Sequence, residues 1–185
     1  VIRPLLYLDV DGVLNPEPAS INPPRRPVGF VTHRARPKGF EARLGVKPLR
    51  LWLNPDHGSW LLQLPVELVW ATTWEHDANV WVAPHIGLPR LDVVEFGKGP
   101  VMPRRGQPIW KTEHVVKHAC GRPFVWIDDM LGMADNEYVK ENHNGLSLLI
   151  RPNPIEGLLQ THLDTVRTWA EGLQEQEGVK DEPGT

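Results

Sequence analysis

The stretch from Pro4 to Asn15 constrains this chain more than any other. Leu5, Leu6, Tyr7 and Leu8 run without a polar break into Asp9, Val10, Asp11 and Gly12. Such a run reads as a buried strand. Side chains alternate along a strand, so Asp9 and Asp11 share one face and Val10 takes the other. Two carboxylates at the end of a buried strand repel each other and lose hydration, which is costly without a cation or a shared proton. Gly12 lets the chain turn sharply and brings backbone close to whatever sits there. Asp is also common at turns, so this stretch alone leaves a turn-flanking reading open.

The remaining chain offers partners for those acids. After the first strand comes a basic, proline-rich segment, about residues 15–48, with Arg25, Arg26, Arg34, Arg36, Lys38, Arg43 and Lys47. It holds two short β-like pieces, at 28–32 and 49–53, and reads as a loop or small hairpin inserted like a lid. Its charge suits an anionic substrate, although a solvated basic loop has the same composition. A helix is expected from Asn54, as N-cap, to Leu64. A second strand over 66–71 leads to Thr72, Thr73 and Glu75, where capping-box spacing predicts one helix as far as Ile86. A third strand follows at 91–96. Ile109 to Ala119 is helical and stops at Gly121. A fourth strand ends in Asp128 and Asp129, then a helix is expected from Ala134 to about Glu141. A fifth strand covers 146–150, and an amphipathic helix runs from Ile155 to about Ala170.

Strands alternating with helices predict an α/β fold, a parallel sheet with helices on both faces. At 185 residues the chain fits one domain, over 1–172, with a polar, acidic tail over 173–185 expected to be flexible. The formal net charge of -3 argues against a general polyanion binder. The single cysteine, Cys120, excludes an internal disulfide and suits a reducing compartment. It reads as a small buried residue at a helix end. No signal peptide or membrane span is read, so the expected location is cytoplasmic. Trp74, Trp81 and Trp126 read as core, and Asp135 as a helix cap rather than a ligand.

In open parallel sheets, ligands bind beyond the carboxyl ends of the strands. Three of those ends carry reactive side chains: Asp9 with Asp11, Thr72 or Thr73, and Asp128 with Asp129. If the first and fourth strands are neighbours, their acids can share one hard cation, and Mg2+ with its oxygen preference fits. Thr72 offers a hydroxyl and helix N-terminal amides to an anion, and Lys111 a fixed positive charge. Together these make a set for phosphoryl transfer, in which a carboxylate can form an aspartyl-phosphate. His114 and His118 are four apart on one helix, a zinc-compatible spacing without a third ligand in view.

Asp9-Val10-Asp11-Gly12-Val13-Leu14, then Ala71-Thr72-Thr73-Trp74, then Lys111, then Trp126-Ile127-Asp128-Asp129 resemble, in order and spacing, the four motifs of the haloacid dehalogenase (HAD) superfamily. The resemblance spans about residues 4 to 150. It implies a three-layer, Rossmann-like sheet of about five strands in the order 5-4-1-2-3, with a minimal cap after the first strand. It implies Asp9 as nucleophile, Asp11 as general acid/base, and Thr72 and Lys111 on the phosphoryl group, with Thr73 and Gly12 at the substrate. It implies Mg2+ on Asp9, on Asp11 through its carbonyl, and on one or both of Asp128 and Asp129. Asp11 favours a phosphatase, because the dehalogenase branch lacks that acid. The chain also resembles the HAD domains associated with RNA-repair proteins. The implied substrate is a phosphate monoester, either a small molecule or a nucleic-acid end. A HAD-fold protein that binds without turnover is the alternative from another class.

Overall fold

The computed structural model describes residues 3–17, 25–38, 47–97 and 105–180. At its centre is β1 (Leu5–Leu8), every residue of which is buried. Its neighbours are β4 (Glu67–Trp70) and β6 (Phe124–Ile127), both parallel to it, and the edges are β5 (Asp92–Val93) and β7 (Ser147–Ile150). The observed order β5-β4-β1-β6-β7 is the expected 5-4-1-2-3 when the sheet strands alone are counted and read from the other edge.

Alternation along β1 divides the core into two layers. Leu5 and Tyr7 pack with Val115 and Ala119 of α4 (Thr112–Ala119) and Val139 of α5 (Met133–Asn142). Leu6 and Leu8 face the other way, towards α1 (His57–Leu62), α2 (Ala78–Trp81), α3 (Ala83–Ile86) and α6 (Gln160–Lys180). Each fully buried Leu of this kind contributes roughly 1.5–3 kcal/mol. The result is the three-layer, doubly wound arrangement that a central apolar strand requires.

The insert contains an antiparallel hairpin, β2 (Val31–Ala35) with β3 (Leu49–Leu53). It is rooted in the domain, since Ala35, Leu51 and Leu53 join the core layer of Leu6 and Leu8. Expected β-structure at 28–30 is absent because Val28 and Gly29 form a turn. Residues 18–24 and 39–46 of the insert, with Arg43, lie outside the described residues, as do 98–104 and 181–185.

Several local expectations need correction. Thr72 and Glu75 form no capping box. Glu75 has φ 43° and its Oε1 accepts from the Phe96 N–H at 2.9 Å, so that carboxylate ties down the chain after β5 instead. The single helix expected to Ile86 is a 3-10 turn, Glu75–Asp77, followed by α2 and α3. Pro84 lacks the N–H that would carry the helical ladder across Val82. Helix α1 starts at His57, and Asn54 accepts from the Asp56 N–H one turn early. Helix α6 starts at Gln160, after a left-handed Gly157, and runs past Glu171 to Lys180. Cys120 is exposed rather than buried, because it is the left-handed C-cap of α4 at φ 48°. Among the described residues, no helix is long and apolar enough to cross a membrane.

Candidate active site

Sheet register builds the site. Leu8 pairs with Trp70 on one side and Ile127 on the other. The next residue of each strand is therefore level: Ala71, Asp9 and Asp128. Asp9 is held there by its N–H to the Ile127 carbonyl at 3.1 Å, and Asp128 by its N–H to the Ile150 carbonyl at 3.2 Å. Two acids more than a hundred residues apart in sequence thus share one end of the sheet, as the spacing of the motifs anticipated.

Lys111, immediately before α4, reaches between them. Its Nζ donates to Asp9 Oδ2 at 2.6 Å and to Asp128 Oδ2 at 2.7 Å. All three groups are buried. Burial by itself would strip the proton from Lys111, but the two carboxylates outweigh it and raise its pKa. Asp128 shows the complementary strain: burial first, and then the charge of Asp9, raise its pKa despite the ammonium. Asp9 Oδ1 accepts from the Val10 N–H at 2.7 Å, and Asp128 Oδ1 from the Met130 N–H at 2.9 Å.

Asp129 joins these two, and one carboxylate oxygen from each of Asp9, Asp128 and Asp129 lies within 4.8 Å of the others. Burial and Asp9 push Asp129 up to about 6. Three carboxylates facing one ammonium leave uncompensated negative charge, and hard oxygen donors are what Mg2+ takes. The donor set fits that ion. Asp11 contributes no side-chain oxygen to the cluster; its place in the expected ligand set was through its carbonyl. Gly12 makes room for the cluster. Its φ is +72°, and a Cβ there would sit 2.4 Å from Asp129 Cγ.

Asp11 stands on the solvent side, at the mouth of the cluster. Its Oδ1 accepts from Asn15 Nδ2 at 2.8 Å, and its Oδ2 from the Trp74 indole N–H at 2.8 Å. The protein packed around it desolvates the carboxyl and raises its pKa, against the pull of those two bonds. Beside it a cleft of about 280 Å³ is lined by Thr73, Trp74, Asp77, Lys38 and Leu49. Thr73 is exposed to that cleft. Thr72 is fully enclosed, with its Oγ1 accepting from the Trp74 N–H at 3.4 Å.

Three positioning residues escaped the sequence reading. Asn15 holds Asp11 with one end and, with its Oδ1, accepts the Trp52 N–H of β3 at 2.9 Å. Trp74 packs in the core as expected but aims its only polar atom at Asp11. Asp135 caps α5 through the Gly132 N–H at 2.8 Å, as expected, and its other oxygen accepts from the Ile109 N–H and the Thr112 hydroxyl. It thereby clamps the turn that presents Lys111. The polar ends of Asn15 and Asp135 beside apolar runs were the available signal. His118 is engaged by the Tyr7 hydroxyl at 2.9 Å, and neither it nor His114 belongs to a metal-ready group among the described residues.

A family model described as the HAD domain in Swiss Army Knife RNA repair proteins matches residues 5–163. The chain belongs to this family of HAD domains. No curated protein and no solved structure matches it. Family membership supports a phosphatase-type role, and the family's name associates it with RNA repair. The matched range spans all four motifs and the β2–β3 hairpin.

Proposed function

We propose that this HAD domain is a Mg2+-dependent phosphomonoesterase that works through an aspartyl-phosphate on Asp9. The observation that carries the reading is Lys111, buried and bonded at once to Asp9 and Asp128. A buried cation between two acids serves stability poorly, since apolar packing does as well or better. It serves chemistry well, because a fixed charge at the attacking group stabilises negative charge without reorganisation.

In the first step an oxygen of Asp9 attacks phosphorus. A bond forms from Asp9 to phosphorus while the ester P–O bond breaks, and Asp11 gives its proton to the departing oxygen. The raised pKa of Asp11 favours the protonated form that this step needs. In the second step water attacks phosphorus, Asp11 takes its proton, and the Asp9–phosphorus bond breaks to release phosphate. Lys111 holds charge on the phosphoryl oxygens, with the hydroxyls of Thr72 and Thr73 at the neighbouring strand end. Mg2+ held by Asp9, Asp128 and Asp129, with the Asp11 carbonyl, would supply further neutralisation of the phosphoryl group.

The family's association with RNA repair and the basic hairpin favour phosphorylated nucleic-acid ends as the substrate class. The test is hydrolysis of an aryl phosphate and of 3′- and 5′-phosphorylated oligonucleotides, with and without Mg2+. Wild type should turn over and Asp9→Asn should not. Equal rates in the two proteins remove Asp9 as nucleophile. Turnover of small sugar phosphates with both oligonucleotides untouched removes the nucleic-acid substrate.

A further inference from the structure

The β2–β3 hairpin carries an arrangement that phosphoester cleavage does not require. Its register sets Arg34 directly opposite Arg50, and Thr32 opposite Trp52. Like charges directly opposite across a strand pair are destabilising. These two also share the hairpin face turned away from the core, because Ala35, Leu51 and Leu53 occupy the inward one. The Arg50 guanidinium lies 3.5 Å from the centroid of the Trp52 ring, which fixes the plane of its fork. One of its donors, Nη1, is buried with no hydrogen-bond partner among the described residues. Arg34, facing it, is exposed. Burial and the charge of Arg34 both oppose ionisation of Arg50, and the carboxylate of Asp11 offsets them only in part, so Arg50 stands within electrostatic reach of Asp11. Asn15 sets that relationship, since it grips Asp11 with its amide nitrogen and the Trp52 N–H with its oxygen.

A donor unpaired among the described residues and a like-charged pair on one face match the needs of a phosphodiester, bidentate donors and positive charge, while the buried Trp52 ring beneath Arg50 holds the fork in place. We propose that Arg34 and Arg50 form a second anion subsite, which holds the internucleotide phosphodiester next to the terminal phosphate of a polynucleotide. The inference rests on the phosphatase reading for the seat of that terminal phosphate. It adds how a chain is distinguished from a small phosphate ester, which ends before the hairpin.

The test is binding of a short fluorescent oligoribonucleotide, in 3′- and 5′-phosphorylated forms, to full-length protein carrying Asp9→Asn, with Mg2+ present. Each form is compared with one whose linkage next to the terminal phosphate is a neutral methylphosphonate. For at least one form, neutralising the linkage should weaken binding about tenfold, or about 1.4 kcal/mol. Adding Arg34→Gln, at an exposed position where folding is not at stake, should abolish most of that difference. It should also lower the slope of log affinity against log salt by about 0.7, the value for one contact to a single strand. Arg50→Lys, which keeps charge and stem but loses the fork, should act in the same direction. The subsite is overturned if neither form binds, if the methylphosphonate binds as well as the diester, or if its penalty is unchanged by Arg34→Gln. Turnover does not enter this readout. Coupling without any Asp9-dependent hydrolysis by the wild type keeps the subsite and removes the phosphatase, and hydrolysis without coupling does the reverse.

Discussion

Trp74 donates its indole N–H to Asp11 Oδ2 at 2.8 Å, across 63 residues of chain. The ring is otherwise core, so its one polar atom is spent on orienting the proposed acid. A hydrogen bond to a charged group is worth about 1.5–3 kcal/mol. Trp74→Phe keeps most of the apolar bulk and removes that bond. It should lower kcat on an aryl phosphate by roughly ten- to hundredfold, with KM changed much less. Loss in KM alone would show that Trp74 shapes the cleft and does not aim Asp11.

Lys111 is the point where stability and function conflict. Lys111→Met leaves Asp9 and Asp128 face to face and buried, without the ammonium that sits 2.6 and 2.7 Å from them. Breaking one side of a buried pair typically costs about 3–5 kcal/mol. Denaturant unfolding of the variant should show a loss of that order without Mg2+ and a smaller one with Mg2+, because a site stripped of its ammonium is more negative and its folded state binds the ion more tightly than wild type does. Equal losses under both conditions would argue against a shared cation site on these acids.

The sheet and its order were legible because apolar strands with acids at their ends leave little freedom. Leu5 to Leu8 can only be central, and the parallel order then brings Asp9 beside Asp128. The tie of Lys111 to both acids was only half legible, since sequence shows a charge on a helix but not the turn that Asp135 clamps to aim it. Asn15 and Trp74 were illegible as site residues. Their roles depend on a hairpin and a strand-end turn meeting Asp11, contacts that no local period encodes. The helix after β4 was misread because Thr72 and Glu75 have the right spacing, yet Glu75 is recruited by the Phe96 N–H. A cap motif lost to a tertiary partner leaves no trace in the sequence.

Gly12 separates steric from conformational cost. At φ +72° an alanine is strained, and its Cβ would also press on the Asp129 carboxylate, 2.4 Å from Cγ. Gly87 has φ +76° and, among the described residues, nothing within 4 Å of where a Cβ would stand. Gly87→Ala therefore bears the backbone strain alone, about 1 kcal/mol or more. Both variants should lose stability. Only Gly12→Ala should lose Mg2+ affinity in calorimetric titration, by about tenfold or more as Asp129 is displaced. Unchanged Mg2+ affinity in Gly12→Ala would remove Asp129 from the ligand set.

His57 should make the fold acid-sensitive independently of the active site. It is 1% exposed, packed on Phe30 and Trp60, with its Nδ1 unpartnered among the described residues. Burial lowers its pKa to about 4, against the opposing bond to the Leu158 carbonyl. Between that value and the ordinary 6.5 the unfolded chain binds the proton and the folded one does not, so stability falls as pH falls. The contribution is complete above about pH 6.5 and declines towards pH 4, by an amount on the order of 3 kcal/mol. Urea unfolding midpoints measured across this range should drop steeply in wild type. In His57→Phe, which keeps the aromatic packing and cannot ionise, the slope should flatten, although the unpaired Leu158 carbonyl lowers stability at neutral pH. An equal slope in both proteins would assign the acid sensitivity to other groups.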